Sequence, residues 1–231
     1  MVEEEVTVNP LAPPDAQARR MRTGWRPVKN GPVHWTDVGF SWSPGYATWG
    51  LDHDLARKLD ALKSPTLYAQ VVESLNNSPI RHTAFGIWIA EVLERGMAKG
   101  DAAVPGIVQP EVVAARARGL DPARLAIMPD DRVAHADNDK HKADSMVLSR
   151  EQYKGLAAGF ARPEAVYWDA RHNNALYVLP DPDLEWCVVL PLYMPSNNKS
   201  AVKKLGRFDG VATTYRTRRD ALLGRILEKI R

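Results

Sequence analysis

The sequence predicts an α+β fold, with an N-terminal extended arm and short helices followed by an antiparallel sheet flanked by helices. Three observations predict it. Between residues 165 and 216 lie four runs rich in Val, Tyr, Trp and Thr (AVYWD, ALYVL, EWCVVLPLY and GVATTYR), each bounded by turn residues, as strands are. Ahead of them, HTAFGIWIAEVLERGMAKG places Phe85, Trp88, Ile89, Val92 and Leu93 at the i, i+3, i+4, i+7, i+8 spacing of a core-facing helix. Residues 1–50 are dense in Pro, Gly and Trp with little periodicity, which reads as an arm.

In chain order, the arm (1–50) carries Trp25, Trp35, Phe40, Trp42, Tyr46 and Trp49, side chains too apolar to stay in water. They are candidates for an interface with another subunit, or for packing back on the protein itself. A helical segment (51–128) follows. Leu51, Leu55, Leu59 and Leu62 share one face, and Ser64-Pro65 opens a second helix bearing Leu67, Val71, Val72 and Leu75. The third helix is the one described above, with GMAKG as its stop. Pro105, Pro110, Pro122 and Pro129 then break residues 101–131 into short helices or strands joined by turns. The last unit (129–231) opens a helix at Ser149 with a capping box, Ser149 to Gln152, and continues it through Tyr153, Leu156 and Phe160 until Pro163. After the four strands, RRDALLGRILEKIR aligns Leu222, Leu223, Ile226, Leu227 and Ile230, predicting a basic C-terminal helix.

With 231 residues, 45% of them hydrophobic, the chain is globular in composition. It lacks a run of the roughly 20 apolar residues that a membrane helix needs. MVEEEVTVNPLAPP is acidic where a signal peptide would be basic and then apolar, so no membrane partner is expected and synthesis in the cytoplasm is. The single cysteine, Cys187, sits among apolar neighbours and excludes a zinc-finger or thiol-redox protein. Charge is uneven. Residues 199–231 hold ten Lys or Arg against three acids, +7, which leaves −4 for the rest of a chain whose total is +3. Lys199, Lys203, Lys204, Arg207, Arg218 and Arg219 are therefore candidate nucleic-acid contacts, set against the plainer reading of a solvated helix face.

One stretch concentrates chemistry: AHADNDKHK, Ala134 to Lys142. His135 and Asp139 share a face if it is helical; His135, Asp137, Asp139 and His141 do if it is extended. Lys140 and Lys142 inside the cluster oppose a divalent cation, so neither metal nor cofactor is expected. A metal-free ribonuclease suits these residue types better, because attack by a 2′-hydroxyl needs an acid, a base and cations for the phosphorane. His135 and His141 would share the proton transfers, with Thr214, Tyr215 and Arg216 at the sheet end and His172 as a spare. The alternative stays open: His135 packs locally and VATTYRT is an edge strand.

The ordered set SWSPGYATW, FGIWIAEVLERG and PDDRVAHADNDKHKADSMVLSREQYKGLAAGFARPEAVYWDARHNNALYVL resembles the C-terminal part of Mu F-like phage minor head proteins, also called head morphogenesis proteins, over roughly residues 35–216, most specifically from Arg132 to Val178. The resemblance implies a domain of the barnase, EndoU, colicin and RelE-like nuclease type, a place in the virion head near the portal, and capsid or portal proteins and packaged DNA or RNA as partners. Of the family's pattern, a His, then Arg-Asp, then a Lys, the chain keeps His135 and Asp139 but has Asn138 and His141 where the cations belong. The helical half usual ahead of this region has no counterpart before Met1, so a separate gene is expected to encode it. Three functions are expected in turn: a structural minor head protein with a degenerate nuclease-like domain, an active metal-independent ribonuclease or toxin packaged in the virion, and a non-catalytic nucleic-acid-binding module.

Overall fold

A computed structural model describes residues 48–49, 64–116, 125–136, 146–194, 209–223 and 227–231. The short strand β1 (Thr48–Trp49) is followed by helix α1 (Pro65–Asn76), started by the Ser64 hydroxyl, which accepts from the Leu67 amide. Pro65 at the first helical position gives up an amide that had no helical partner. Helix α2 (Pro79–Arg95) buries Phe85, Trp88, Ile89 and Val92, the predicted stripe, and stops at Gly96, whose φ of 64° is the left-handed cap that a Cβ disfavours. Strand β2 (Ala102–Ile107), helix α3 (Pro110–Arg116), strand β3 (Leu125–Pro129) and helix α4 (Asp130–Ala136) are short, as the prolines require.

Helix α5 (Arg150–Ala161) has its capping box in place: the Gln152 amide donates to the Ser149 hydroxyl at 3.2 Å and the Ser149 amide to Gln152 Oε1 at 2.7 Å. Then come β4 (Ala165–Asp169), β5 (Asn174–Leu179), β6 (Trp186–Tyr193), β7 (Asp209–Val211), β8 (Tyr215–Arg218), helix α6 (Arg219–Leu223) and β9 (Glu228–Lys229). Among the described residues all strands join one sheet in the order β1-β2-β3-β7-β6-β5-β4-β9, with β8 also paired to β6. Pairing is antiparallel except β1 with β2 and β3 with β7.

Alternation explains why both sheet faces are apolar. Ala175, Tyr177 and Leu179 of β5, with Val188, Leu190 and Leu192 of β6, face the helices and meet Tyr153, Leu156, Ala157 and Phe160 of α5. Leu176, Val178, Cys187 and Val189 point the other way, into a smaller cluster closed by Leu222. Cys187 is buried, as its neighbours suggest. Phe160 stacks on Tyr177 at 4.3 Å, and lies so close to β2 that a Cβ on Gly106 would meet its ring at 2.3 Å. Glycine is therefore required there for space. Beside it β2 bulges between Ala103 and Gly106, where Pro105 has no amide to give, and Asn76 from α1 bonds both Ile107 N and O at 2.7 Å.

The segment read as helical, 51–128, thus also supplies β2 and most of β3 to the sheet. At the C-terminus the structure departs from the expected basic helix: α6 ends at Leu223, and Glu228 and Lys229 pair with Trp168 and Tyr167 on the open edge of β4. Ile230 and Arg231 donate their amides to Val166 O, and Val166 N donates to Arg231 O. An unpaired edge offers these backbone groups partners that a solvated last turn would not. The predicted helix from Leu51 and the arm, apart from β1, lie outside the described residues.

Candidate functional site

Pro191 divides the fourth predicted strand in two. Both β7 and β8 run along one edge of β6, with Leu192 opposite Val211 and Val189 opposite Tyr215. The Ala212 amide donates to Pro191 O at 2.9 Å, so the polar side of Pro191 faces this edge, where its ring leaves no N–H to continue the ladder. Ala212, Thr213 and Thr214 therefore oppose only Leu190 and Pro191, one residue too many, and the edge bulges. Thr214 is carried inward to 3% exposure, and its hydroxyl has no hydrogen-bond partner.

Two residues on, Arg216 grips Asp181 with a fork: Nε to Oδ2 at 2.8 Å and Nη2 to Oδ1 at 3.0 Å. Its guanidinium lies 4.5 Å over the Trp186 ring and 3.8 Å from Asp183. Asp181, 1% exposed, also accepts from Gln152 Nε2 at 2.6 Å and from the Asp183 amide at 2.9 Å. The Arg216 fork, despite the cost of burial, holds the Asp181 carboxyl below its ordinary pKa, and Asp181 in turn raises that of Arg216. The same glutamine that closes the capping box of α5 thereby ties the helix to the β5–β6 turn and to β8. The Arg216 amide donates to Met146 O at 2.9 Å. That bond fixes the first described residue after AHADNDKHK beside Thr214 and Arg216.

Of the remaining candidates, His135 lies on α4, while Asn138, Asp139 and His141 lie outside the described residues, as do Lys199, Lys203, Lys204, Arg207, Trp25, Trp35, Phe40, Trp42 and Tyr46. Trp49 is in β1, opposite Ala103. His172 belongs to the β4–β5 turn, where Asn173 adopts φ 52°. Its ring Nδ1 lies 2.8 Å from Asp169 Oδ2 and its amide donates to Oδ1 at 3.2 Å. Burial alone would raise the Asp169 pKa, but these bonds from His172 bring it below the ordinary value. The turn sits at the Tyr193 end of β6, whereas Arg216 pairs nearer the Trp186 end.

Charge in space differs from charge in sequence. Arg218 lies 3.6 Å from Glu185 and 3.4 Å from Asp220, and Arg219 forks onto Glu164 at 2.6 and 3.0 Å while donating to Leu184 O. With Arg216 on Asp181 and Asp183, each of these cations meets an acid between residues 164 and 185, apart from Asp220. Sequence reading missed Asp181, Gln152 and Trp186 as partners; the only local signal was PDPD at 180–183, which reads as a turn.

No group of three or more His, Cys, Asp or Glu among the described residues is placed to hold a metal ion, and no described helix is long and apolar enough to cross a membrane. No family model matches the chain, and no solved structure matches it. Two curated proteins are similar. The Mu-like prophage FluMu F protein of Haemophilus influenzae is 29% identical over 185 residues, 78% of this chain and 43% of the relative. The putative capsid assembly protein F of Escherichia phage Mu is 34% identical over 165 residues, 70% of this chain and 36% of that protein. The chain spans less than half the length of either, and both are F proteins of Mu or a Mu-like prophage, the group that the ordered segments resemble.

Proposed function

We propose that the chain is a structural head protein of a Mu-like phage, working in capsid assembly next to capsid or portal proteins and retained in the virion. The similarity to a putative capsid assembly protein F across 70% of the chain supports this reading. The aromatic arm would supply contact area, since its tryptophans need a surface to cover them. A tagged chain produced during phage growth should co-sediment with heads on a density gradient and cross-link to portal or capsid subunits, and deletion of residues 1–50 should release it. Recovery of the full chain only from the soluble fraction would refute the proposal.

A second reading, a metal-independent ribonuclease domain, is favoured by one arrangement: the unpartnered Thr214 hydroxyl two residues before Arg216, whose amide donates to Met146 O. Against it, the Arg216 fork is already committed to Asp181, and Asn138 and His141 stand where the resemblance expects cations. The inactive form is the one we propose. RNA cleavage that survives chelation and falls by ~10² or more in His135→Ala would overturn it.

A further inference from the structure

We propose that the junction between α1 and α2 is an oxyanion site, in which the Arg81 guanidinium takes a carboxylate or phosphate group. Arg81 is the third residue of α2 and lies on the same stripe as Phe85, Trp88 and Val92. It is only 7% exposed, and neither Nη1 nor Nη2 has a hydrogen-bond partner. Its backbone belongs to the first turn of α2, which begins directly after the Asn77-Ser78 junction, and its charge is felt at the neighbouring His82.

That turn is itself short of an acceptor. Ser78 occupies the N-cap but its hydroxyl makes no capping bond, and the first turn of this 17-residue helix contains no acidic residue. Two further basic groups stand close by. His82 holds Asn76 O at 2.6 Å through Nε2, and Arg162, from the end of α5, donates through Nε to Asn77 Oδ1 at 2.8 Å. Burial, and to a lesser degree the charges of Arg81 and Arg162, lower the His82 pKa, while burial alone brings that of Arg81 down to about 10. An enclosed guanidinium with no counter-charge among the described residues is costly. Its planar fork fits one class of ligand, an oxyanion with two oxygens side by side.

The test is thermal unfolding of the full chain in sodium phosphate and in sodium acetate, each compared with sodium chloride at equal ionic strength. The wild type should gain roughly 5–10 °C at an oxyanion concentration about 100 times its dissociation constant. Arg81→Met, which keeps the apolar stem, should lose the gain, and Arg81→Lys, which keeps the charge without the fork, should reduce it. A gain with phosphate alone points to a phosphate group; a gain with acetate points to a carboxylate such as an acidic side chain of a partner. No oxyanion-specific gain in the wild type, or an equal gain in Arg81→Met, overturns the proposal, and Arg81→Lys decides it should the Met variant not fold.

Discussion

Replacing Asp181 with Ala removes one carboxylate that accepts from Gln152, from two Arg216 nitrogens and from the Asp183 amide. Breaking a buried ion pair from one side costs about 3–5 kcal/mol, because the surviving charge stays desolvated. Arg216 retains 24% exposure and its place over Trp186, so water reaches it in part and the lower end, ~3 kcal/mol, is expected. In a chain of 231 residues this corresponds to a fall of roughly 6–12 °C in Tm. Urea and thermal unfolding followed by circular dichroism measure it, and a double-mutant cycle with Arg216→Met should return a coupling of about 1.5–3 kcal/mol. The pH dependence has a definite sign. Folding depresses the Asp181 pKa, so its contribution is present above the unfolded value of about 3.9 and is lost as pH falls through the lower folded value. Asp181→Asn should flatten the stability profile in that acid window. A loss below ~0.5 kcal/mol in Asp181→Ala, the range of an ordinary surface change, would refute the network.

Gly106→Ala should destabilise by about 1–3 kcal/mol in the same unfolding assay, since its Cβ would meet the buried Phe160 ring at 2.3 Å and the ring is held by Tyr177. Tyr177→Phe leaves Gln109 Oε1 without the hydroxyl now 2.6 Å away and should cost about 1–3 kcal/mol; an unchanged midpoint would show that Gln109 finds another donor. If the basic segment contacts nucleic acid, binding to single-stranded RNA or duplex DNA, measured by anisotropy against salt, should draw its slope from Lys199, Lys203, Lys204 and Arg207, and salt-insensitive binding, or none at low salt, would leave the segment a solvated face. The triple replacement of Lys203, Lys204 and Arg207 is expected to flatten that slope by about three units at most, while Arg218→Gln with Arg219→Gln leaves it nearly unchanged because those cations already face acids.

Features governed by neighbours in sequence were legible. The Ser149–Gln152 box, the stop at Gly96, the Phe85 to Val92 stripe and the β4 and β5 runs depend on contacts within a few residues, and periodicity or cap chemistry reports those directly. The split of GVATTYR was less visible, because its cause, Pro191, lies on the facing strand and acts only once the two pair. The C-terminal apolar pattern misled for a similar reason. Leu222 does bury, but Ile230 packs on the helix-side core from just past β9, and spacing at 3.6 residues cannot reveal that an open β4 edge lies within reach.

The site shows the same divide more sharply. Reading +7 into residues 199–231 treats charge as a property of a segment, whereas Arg216 and Arg219 meet partners 35 and 55 positions earlier in the chain. Once those pairs form, they serve as braces that fix β8 and α6 against the β5–β6 turn and the start of β4, and little of their field is left for a phosphate. Such braces support the proposed structural role over a catalytic one, because a cation that stabilises a transition state must be free to turn toward it. Arg81 is the inverse case. Nothing in PIRHTAFGIW marks it as different from a solvated helix arginine, yet it is buried with no hydrogen-bond partner on Nη1 or Nη2 and no counter-charge among the described residues. Burial and pairing are set by tertiary contacts, so Arg216, which the sequence offered as a candidate, is neutralised by Asp181, while Arg81, which it did not offer, is the buried guanidinium whose Nη1 and Nη2 have no hydrogen-bond partner.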